Sequence, residues 1–465
     1  MMRTALCVLA FLAPACVVKL DDRFKPQTDG AVTGAPADCN VVKPPPRSAP
    51  GGNAELVYVG RFDMTDPMAV RFDWGGNYVY AQFEGGTQVS AKLEADDSDV
   101  LFSAVLDGGP PKQIHVFSAN AQPPGVQVPA SYVLFDGLSA GPHEIILHRD
   151  TEAQSGVTIF RGFDLGGGHL LPPKRRVRKI EVIGDSISCG YGDEGQNATC
   201  PFDVEVRRQG DCPSDKVLPD DFDTKYPNCN VVRVPETENQ YLAYGSLVGR
   251  RFDADVTTIA WSGKGVQRNY HEPTLGRAAI DRKVTIPDYW RQRTIGSPPQ
   301  PGQMTAGPNW DFAKDPDYQV VVINLGTNDF TRDVLINNQG NAESTTGNGD
   351  NVPDGDIDRT AFRDTYRDFV KEVRAKRPNA HIFLAVPPML TDQYPLDNAR
   401  TDLKNALLSI AQEMNAAGDQ KVYEMELVEQ GTRYGLGCDY HPNLTVHQIM
   451  ADQVAGAIRS KTCWD

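Results

Sequence analysis

A serine, an imidazole and donors able to face a negative oxygen would together make an acyl-transfer site, and this chain offers candidates for each. Ser186 stands in Gly184-Asp185-Ser186, directly after an apolar run and ahead of Cys189-Gly190-Tyr191-Gly192. A serine hydroxyl needs a base to lose its proton near neutral pH, and imidazole is the usual one. Only 8 histidines occur, and His441 stands in Cys438-Asp439-Tyr440-His441-Pro442-Asn443, just before the last apolar-striped segment. Asn324-Leu325-Gly326-Thr327-Asn328-Asp329 follows a β-branched run and supplies Asn328, whose amide can donate to a developing oxyanion. Trp261-Ser262-Gly263-Lys264-Gly265 supplies the Gly263 N–H from a turn after another such run, and the N–H of Ser186 itself completes the set. An oriented carboxylate would hold the imidazole tautomer, and Asp439 is the candidate. Each segment alone could be a turn or a helix cap; that each follows a predicted strand or precedes a helix carries the reading. Ser186 is not in a Gly-x-Ser-x-Gly elbow, which argues against the ordinary α/β-hydrolase arrangement. No CxxC pair or His/Cys cluster has metal-ligand spacing, so no metal and no cofactor are expected.

The elements that must position these residues divide the chain. Residues 53–170 carry short apolar stretches such as Leu56-Val57-Tyr58-Val59 and Tyr78-Val79-Tyr80-Ala81-Gln82-Phe83, separated by turn signals such as Gly75-Gly76 and Asp107-Gly108-Gly109. Many short strands with regular turns predict a β-sandwich. Over residues 171–465 the period changes. Strands are predicted at 177–184, 256–260, 318–324, 382–386 and 422–427, alternating with helices at 241–252 and 403–414. Two further helices carry the stripes Phe362, Tyr366, Phe369, Val370, Val373 and Val446, Ile449, Met450, Val454, Ile458. That alternation predicts an α/β domain with a parallel sheet and helices on both faces. Two insertions interrupt it: residues 197–236, rich in Cys, Pro and Asp, and residues 337–358, whose aspartates lack the ligand order of an EF-hand and read as a solvated loop.

The 465 residues are 40% hydrophobic and 23% charged, ordinary for a globular protein, with a net charge of −15. The acidic balance argues against a nucleic-acid partner. The basic run Lys174-Arg175-Arg176-Val177-Arg178 reads as a solvated edge between domains. Residues 1–16 have the charged, apolar and small-residue parts of a signal peptide, with Cys16 placed for a lipid anchor; ordinary secretion is the alternative. Residues 17–52 read as a Pro-rich tether. Export would oxidise several of the 9 cysteines, with a pair expected among Cys200, Cys212 and Cys229.

The order Ser, Gly, Asn, His resembles the SGNH (GDSL-type) hydrolases. Gly60-Arg61-Phe62-Asp63, Gly184-Asp185-Ser186, Ala260-Trp261-Ser262-Gly263-Lys264-Gly265, Asn324 to Phe330 and Cys438 to Asn443 together are similar to carbohydrate esterase family 2. The resemblance implies an N-terminal jelly roll followed by a three-layer α/β/α SGNH domain. It implies a serine esterase that removes acetyl groups from a hemicellulose-type polysaccharide or oligosaccharide; separately, a monomer is expected. It makes Ser186 the nucleophile, His441 the base, and Ser186, Gly263 and Asn328 the oxyanion donors. Relatives orient the histidine by an aspartate or by a backbone carbonyl, so Asp439 is the expected but not the sole orienter. Tyr440 stands where the family often presents an aromatic, able to stack on a sugar or simply to pack. An esterase of other small acyl or aryl esters, and a carbohydrate-binding protein with vestigial activity, are the competing readings.

Overall fold

The computed structural model describes residues 32–49, 52–96, 98–119, 127, 129–210, 212, 229–270, 284–296, 308–331, 357–394, 398–431 and 433–465. Two antiparallel sheets form the first part. One has the order Val70–Phe72, Thr158–Asp164, Gln88–Ala95, Ala130–Asp136. The other has the order His169–Leu171, Tyr78–Glu84, His143–Arg149, Val100–Leu106, Lys112–Val116, with Val57–Val59 also paired to Tyr78–Glu84. The Tyr78–Glu84 strand shows how period two builds a sandwich. Val79, Ala81 and Phe83 enter a core with Phe72, Phe102 and Phe160, whereas Tyr78 and Tyr80 join Val57 and Val59 on the opposite face. That opposite face meets the second domain: the Tyr78 hydroxyl donates to Asp255 Oδ1 at 2.8 Å, and Trp74 Nε1 donates to the Thr294 carbonyl at 3.0 Å.

The second part is a parallel sheet in the order Ala254–Ala260, Arg178–Gly184, Val320–Asn324, His381–Val386, Val422–Glu426. Its strands are rich in β-branched residues because both faces are covered. Ile183, Ile323 and Leu384 pack with residues of the helices Ile286–Gln292, Arg359–Lys376 and Ala399–Ala416. Val182, Val322 and Phe383 pack with residues of the helices Tyr244–Phe252 and Leu444–Thr462. This is the expected sandwich followed by an α/β/α layer fold; the Ile286–Gln292 helix had no sequence stripe long enough to announce it. Within this sheet the strand that comes first in sequence, Arg178–Gly184, lies between the second, Ala254–Ala260, and the third, Val320–Asn324. Open sheets hold their ligands at such a reversal, beyond the carboxyl ends of the strands. Register aligns Gly184 with Ala260 and with Asn324, so the three segments that follow emerge side by side.

Two expectations change. Residues 32–49 are not a free tether. Val32 bridges to Met425, Lys461 Nζ donates to the Gly34 and Ala35 carbonyls at 2.7 and 2.9 Å, Cys39 is disulfide-bonded to Cys463, and Ser48–Ala49 pairs with Arg175–Arg176. The basic run is a solvated edge only in part: Lys174 and Arg175 are exposed and Arg176 is half-buried. Arg178 is 2% exposed, and its guanidinium donates to the main-chain oxygens of Pro45, Phe252 and Asp465 at 3.1 to 3.4 Å, which satisfies donors that burial cuts off from water. The 197–236 insertion contains a hairpin, Val204–Gly210 with Cys229–Val234. Its expected cysteine pair is Cys212–Cys229, while Cys200 reaches Cys438 and Cys189 stays free and buried. Residues 1–31, with Cys16, and residues 337–356 lie outside the described residues; Asp358 caps the Arg359–Lys376 helix, accepting from the N–H groups of Thr360 and Ala361, each at 2.9 Å.

The double variant Cys39→Ala, Cys463→Ala is expected to lose about 2–5 kcal/mol of stability by releasing the N-terminal segment, measured by thermal unfolding. Its kcat on a soluble ester should stay at the wild-type value, since neither cysteine approaches the candidate site.

Candidate active site

Gly184 ends its strand where a Cβ would lie 2.0 Å from Ser188 Oγ, so only glycine lets the chain turn into the short Ser186–Cys189 helix. Asp185 caps that turn, accepting the Ile187 N–H at 3.1 Å. Ser186 is 5% exposed, and His441 Nε2 lies 2.9 Å from its Oγ. His441 Nδ1 lies 2.8 Å from the Asp439 carbonyl oxygen. A carbonyl can only accept, so Nδ1 carries the proton and the Nε2 lone pair faces the serine hydroxyl. Burial lowers the His441 pKa below its ordinary value, opposed by the Asp439 carbonyl and carboxylate. The imidazole is therefore neutral, and able to take a proton, at neutral pH.

The Asp439 side chain does not do what the sequence suggested. Its carboxylate is exposed, and Oδ2 accepts the Tyr191 hydroxyl at 3.4 Å instead of facing the imidazole. The backbone explains why. Asp439 and Tyr440 are both left-handed, at φ 52° and 58°, which swings the 439 carbonyl onto Nδ1. Non-glycine residues in that region cost roughly 1–2 kcal/mol each, and the neighbours hold them there. Cys438 N–H donates to Gly192 O at 2.9 Å, Gly437 N–H to His441 O at 2.8 Å, Gln430 Nε2 to Tyr440 O at 2.6 Å, and the Cys200–Cys438 disulfide pins the base of the segment. Tyr191, which the sequence reading did not single out, lies 4.3 Å from the His441 ring and stacks on Phe202 at 3.6 Å. Tyr440 is 58% exposed beside the site.

Gly263 takes the left-handed conformation at φ 77° that its turn requires. Asn328 Nδ2 donates to Lys264 O at 2.9 Å and lies 3.5 Å from Asp185 Oδ2, which sets the amide next to the residue preceding Ser186. Asp329 holds the far side of the Gly263 turn, accepting the N–H groups of Val266, Gln267 and Arg268 at 2.7 to 3.1 Å. Burial pushes the Asp185 carboxyl up to about 7, against the Ile187 N–H and the Thr327 side chain. The structure thus gathers Ser186, His441, Gly263 and Asn328 at one sheet edge and leaves the Asp439 carboxylate outside.

A second Ser–His–Asp arrangement lies in the sandwich, within Gly137-Leu138-Ser139-Ala140-Gly141. Ser139 Oγ is 3.2 Å from His143 Nε2, and His143 Nδ1 is 2.6 Å from Asp107 Oδ2. His143 Nε2 also lies 3.1 Å from the Ser139 carbonyl, and hydrogen bonding to Asp107 raises its pKa. With one ring nitrogen on Asp107 and the other against both the carbonyl and the hydroxyl of Ser139, this histidine staples its own loop.

The parallel sheet, its switch-point crevice and the Ser–His pair with Gly and Asn beside it define an SGNH hydrolase of the GDSL type. Residues 58–173 match the family described as carbohydrate esterase 2 N-terminal, and residues 180–454 match GDSL-like lipase/acylhydrolase. A solved family two carbohydrate esterase from Clostridium thermocellum, in complex with cellohexaose, is 31% identical with a TM-score of 0.65 over 88% of this chain and 100% of that one. The chain belongs to carbohydrate esterase family 2. The cellulase/esterase CelE of Acetivibrio thermocellus is 33% identical over 414 residues, 89% of this chain but 40% of that protein. An acetylxylan esterase / glucomannan deacetylase of Cellvibrio japonicus is 25% identical over 397 residues, 85% of this chain and 87% of that one.

Asp439→Asn should keep kcat within about threefold of wild type, where a carboxylate-oriented histidine would lose about 10⁴-fold. The pH profile of kcat/KM should show an acid limb with its midpoint below the ordinary imidazole value of about 6.5 and stay flat through neutrality. A midpoint above that value contradicts a buried neutral ring.

Proposed function

We propose that this protein is a serine esterase that hydrolyses O-acetyl esters on a carbohydrate, by way of an acetyl-Ser186 intermediate. The observation that carries the reading is the 2.9 Å contact of Ser186 Oγ with an imidazole whose other nitrogen is committed to a carbonyl. Ser186 Oγ attacks the acetyl carbonyl while its proton passes to His441 Nε2. Negative charge grows on the carbonyl oxygen, where the N–H groups of Ser186 and Gly263 and the Asn328 amide receive it. The tetrahedral species collapses, His441 returns the proton to the sugar oxygen, and the deacetylated alcohol leaves. Water, deprotonated by the same Nε2, then adds to the acetyl carbonyl; the bond to Ser186 Oγ breaks, His441 returns the proton to that oxygen, and acetate leaves.

The substrate rests on the relatives: one is named for acetylxylan and glucomannan, and another is solved with cellohexaose. A hemicellulose-type polymer or its oligosaccharides fits them, with the exposed Tyr440 ring as a stacking surface for a sugar face. Three disulfides among the described residues support export to an oxidising compartment; a lipid on Cys16 and a monomeric state belong to the same proposal.

Ser186→Ala should abolish hydrolysis of a small acetyl ester without loss of fold. Asn328→Ala should lose about 10²–10³ in kcat, as deletion of one oxyanion donor does. Acetate release from acetylated xylan, acetylated glucomannan and acetylated monosaccharides then ranks the substrates. No turnover of any acetyl ester by the wild type overturns the proposal.

A further inference from the structure

The sandwich sends one side chain into the neighbourhood of the oxyanion donors. Arg149, at the end of the His143–Arg149 strand, is completely buried. Its guanidinium donates to the carbonyls of Thr151 at 2.9 Å, Glu152 at 3.2 Å and Gly156 at 2.7 Å, which fixes the loop 150–156 to its own domain. From that loop Glu152, also 0% exposed, crosses to the α/β domain. Oε2 accepts the Ser262 N–H at 2.7 Å, and Oε1 accepts the Ser262 hydroxyl at 2.5 Å. Cys189 Sγ, in the turn that opens with Ser186, lies 3.6 Å from Oε2. The Glu152 N–H in turn donates to Glu238 Oε1 at 3.1 Å. Glu152, Cys189 and Glu238 lie close enough to suggest a metal cage, but the Glu152 oxygens are already taken by the two Ser262 donors, which makes the carboxylate an anchor for Ser262.

We propose that Glu152 is a positioning residue for catalysis: its two-point grip on Ser262 fixes the peptide that presents the Gly263 N–H to the oxyanion, so the sandwich completes the active site of the domain beside it. Gly263 has no Cβ to restrict it, and a flipped 262–263 peptide would aim a carbonyl where the donor belongs. Donors stabilise a transition state only when they need no reorganisation at the moment of reaction. Holding Ser262 by both its N–H and its side chain supplies that rigidity from outside the catalytic domain. The inference rests on the acyl-transfer reading above.

The test compares Glu152→Gln and Ser262→Ala with wild type on a small soluble acetyl ester. Glu152→Gln is expected to lower kcat about tenfold or more while KM moves less than about threefold, and to slow phosphonylation of Ser186 by an aryl phosphonate by the same factor. Ser262→Ala removes one of the two bonds without leaving a buried charge bare, and is expected to lose less; it carries the test if Glu152→Gln does not fold. Glu152→Asp keeps the charge on a shorter arm and should fall between wild type and Glu152→Gln. A purely structural role would lower the unfolding temperature and leave kcat per folded molecule unchanged. Folded variants of both positions with kcat within about twofold of wild type overturn the proposal. A readout independent of turnover is the Gly263 amide in ¹⁵N-glycine spectra: a changed shift and faster hydrogen exchange in Glu152→Gln support the grip, and an unchanged amide overturns it. Wild-type inactivity would overturn the esterase reading instead, with the amide still deciding this one.

Discussion

The bond from His441 Nδ1–H to the Asp439 carbonyl is the interaction on which the rest of the site depends. It selects one tautomer, and that tautomer alone turns a lone pair toward Ser186. A carbonyl is a weaker partner than a carboxylate, so the imidazole gains less from charging and relies on being held in place. The surroundings show how. Two consecutive left-handed residues are stabilised by backbone bonds to Gly192 and His441, by Gln430 and by a disulfide, and Tyr191 packs against the ring. Strain accepted in the backbone at 439 and 440 is offset by these neighbours.

The same logic runs through the domain interface. The sheet containing Tyr78–Glu84 has apolar residues on both faces, one side for the sandwich interior and the other for the catalytic domain. Glu152, Arg149 and Trp74 convert that contact into positional restraint on the turn 261–263 and on the loop at 294. The sandwich is thereby bonded to the two turns that flank the candidate site.

Much of this was legible in the residues. The five parallel strands and the helices with Phe362 and Val446 announced themselves by β-branched runs and by stripes at helical spacing. Ser186, Gly263 and Asn328 could be placed at one edge because each follows a strand. What escaped was long-range or conformational. Arg178 looked like part of a surface charge run, because nothing local says that Asp465 and Pro45 fold back onto it. Residues 32–49 looked like a tether since Pro-rich segments carry no periodicity even when they pack. Asp439 was the natural orienter by residue type, yet its φ of 52° decides the matter, and spacing does not encode a dihedral. Glu152 lies far from every catalytic motif in the chain and gave no signal of its own.

A histidine oriented by main chain shifts the evolutionary constraint from chemistry to conformation. At position 439 the carbonyl is common to every amino acid, so the side chain is released from catalysis while the dihedral is not. A saturation library there should be filtered by left-handed propensity: glycine and asparagine pass, and β-branched residues fail although they retain the very same carbonyl. A position of this kind is expected to tolerate a change of charge but not of backbone shape, and a search for an acid before the histidine would overlook it.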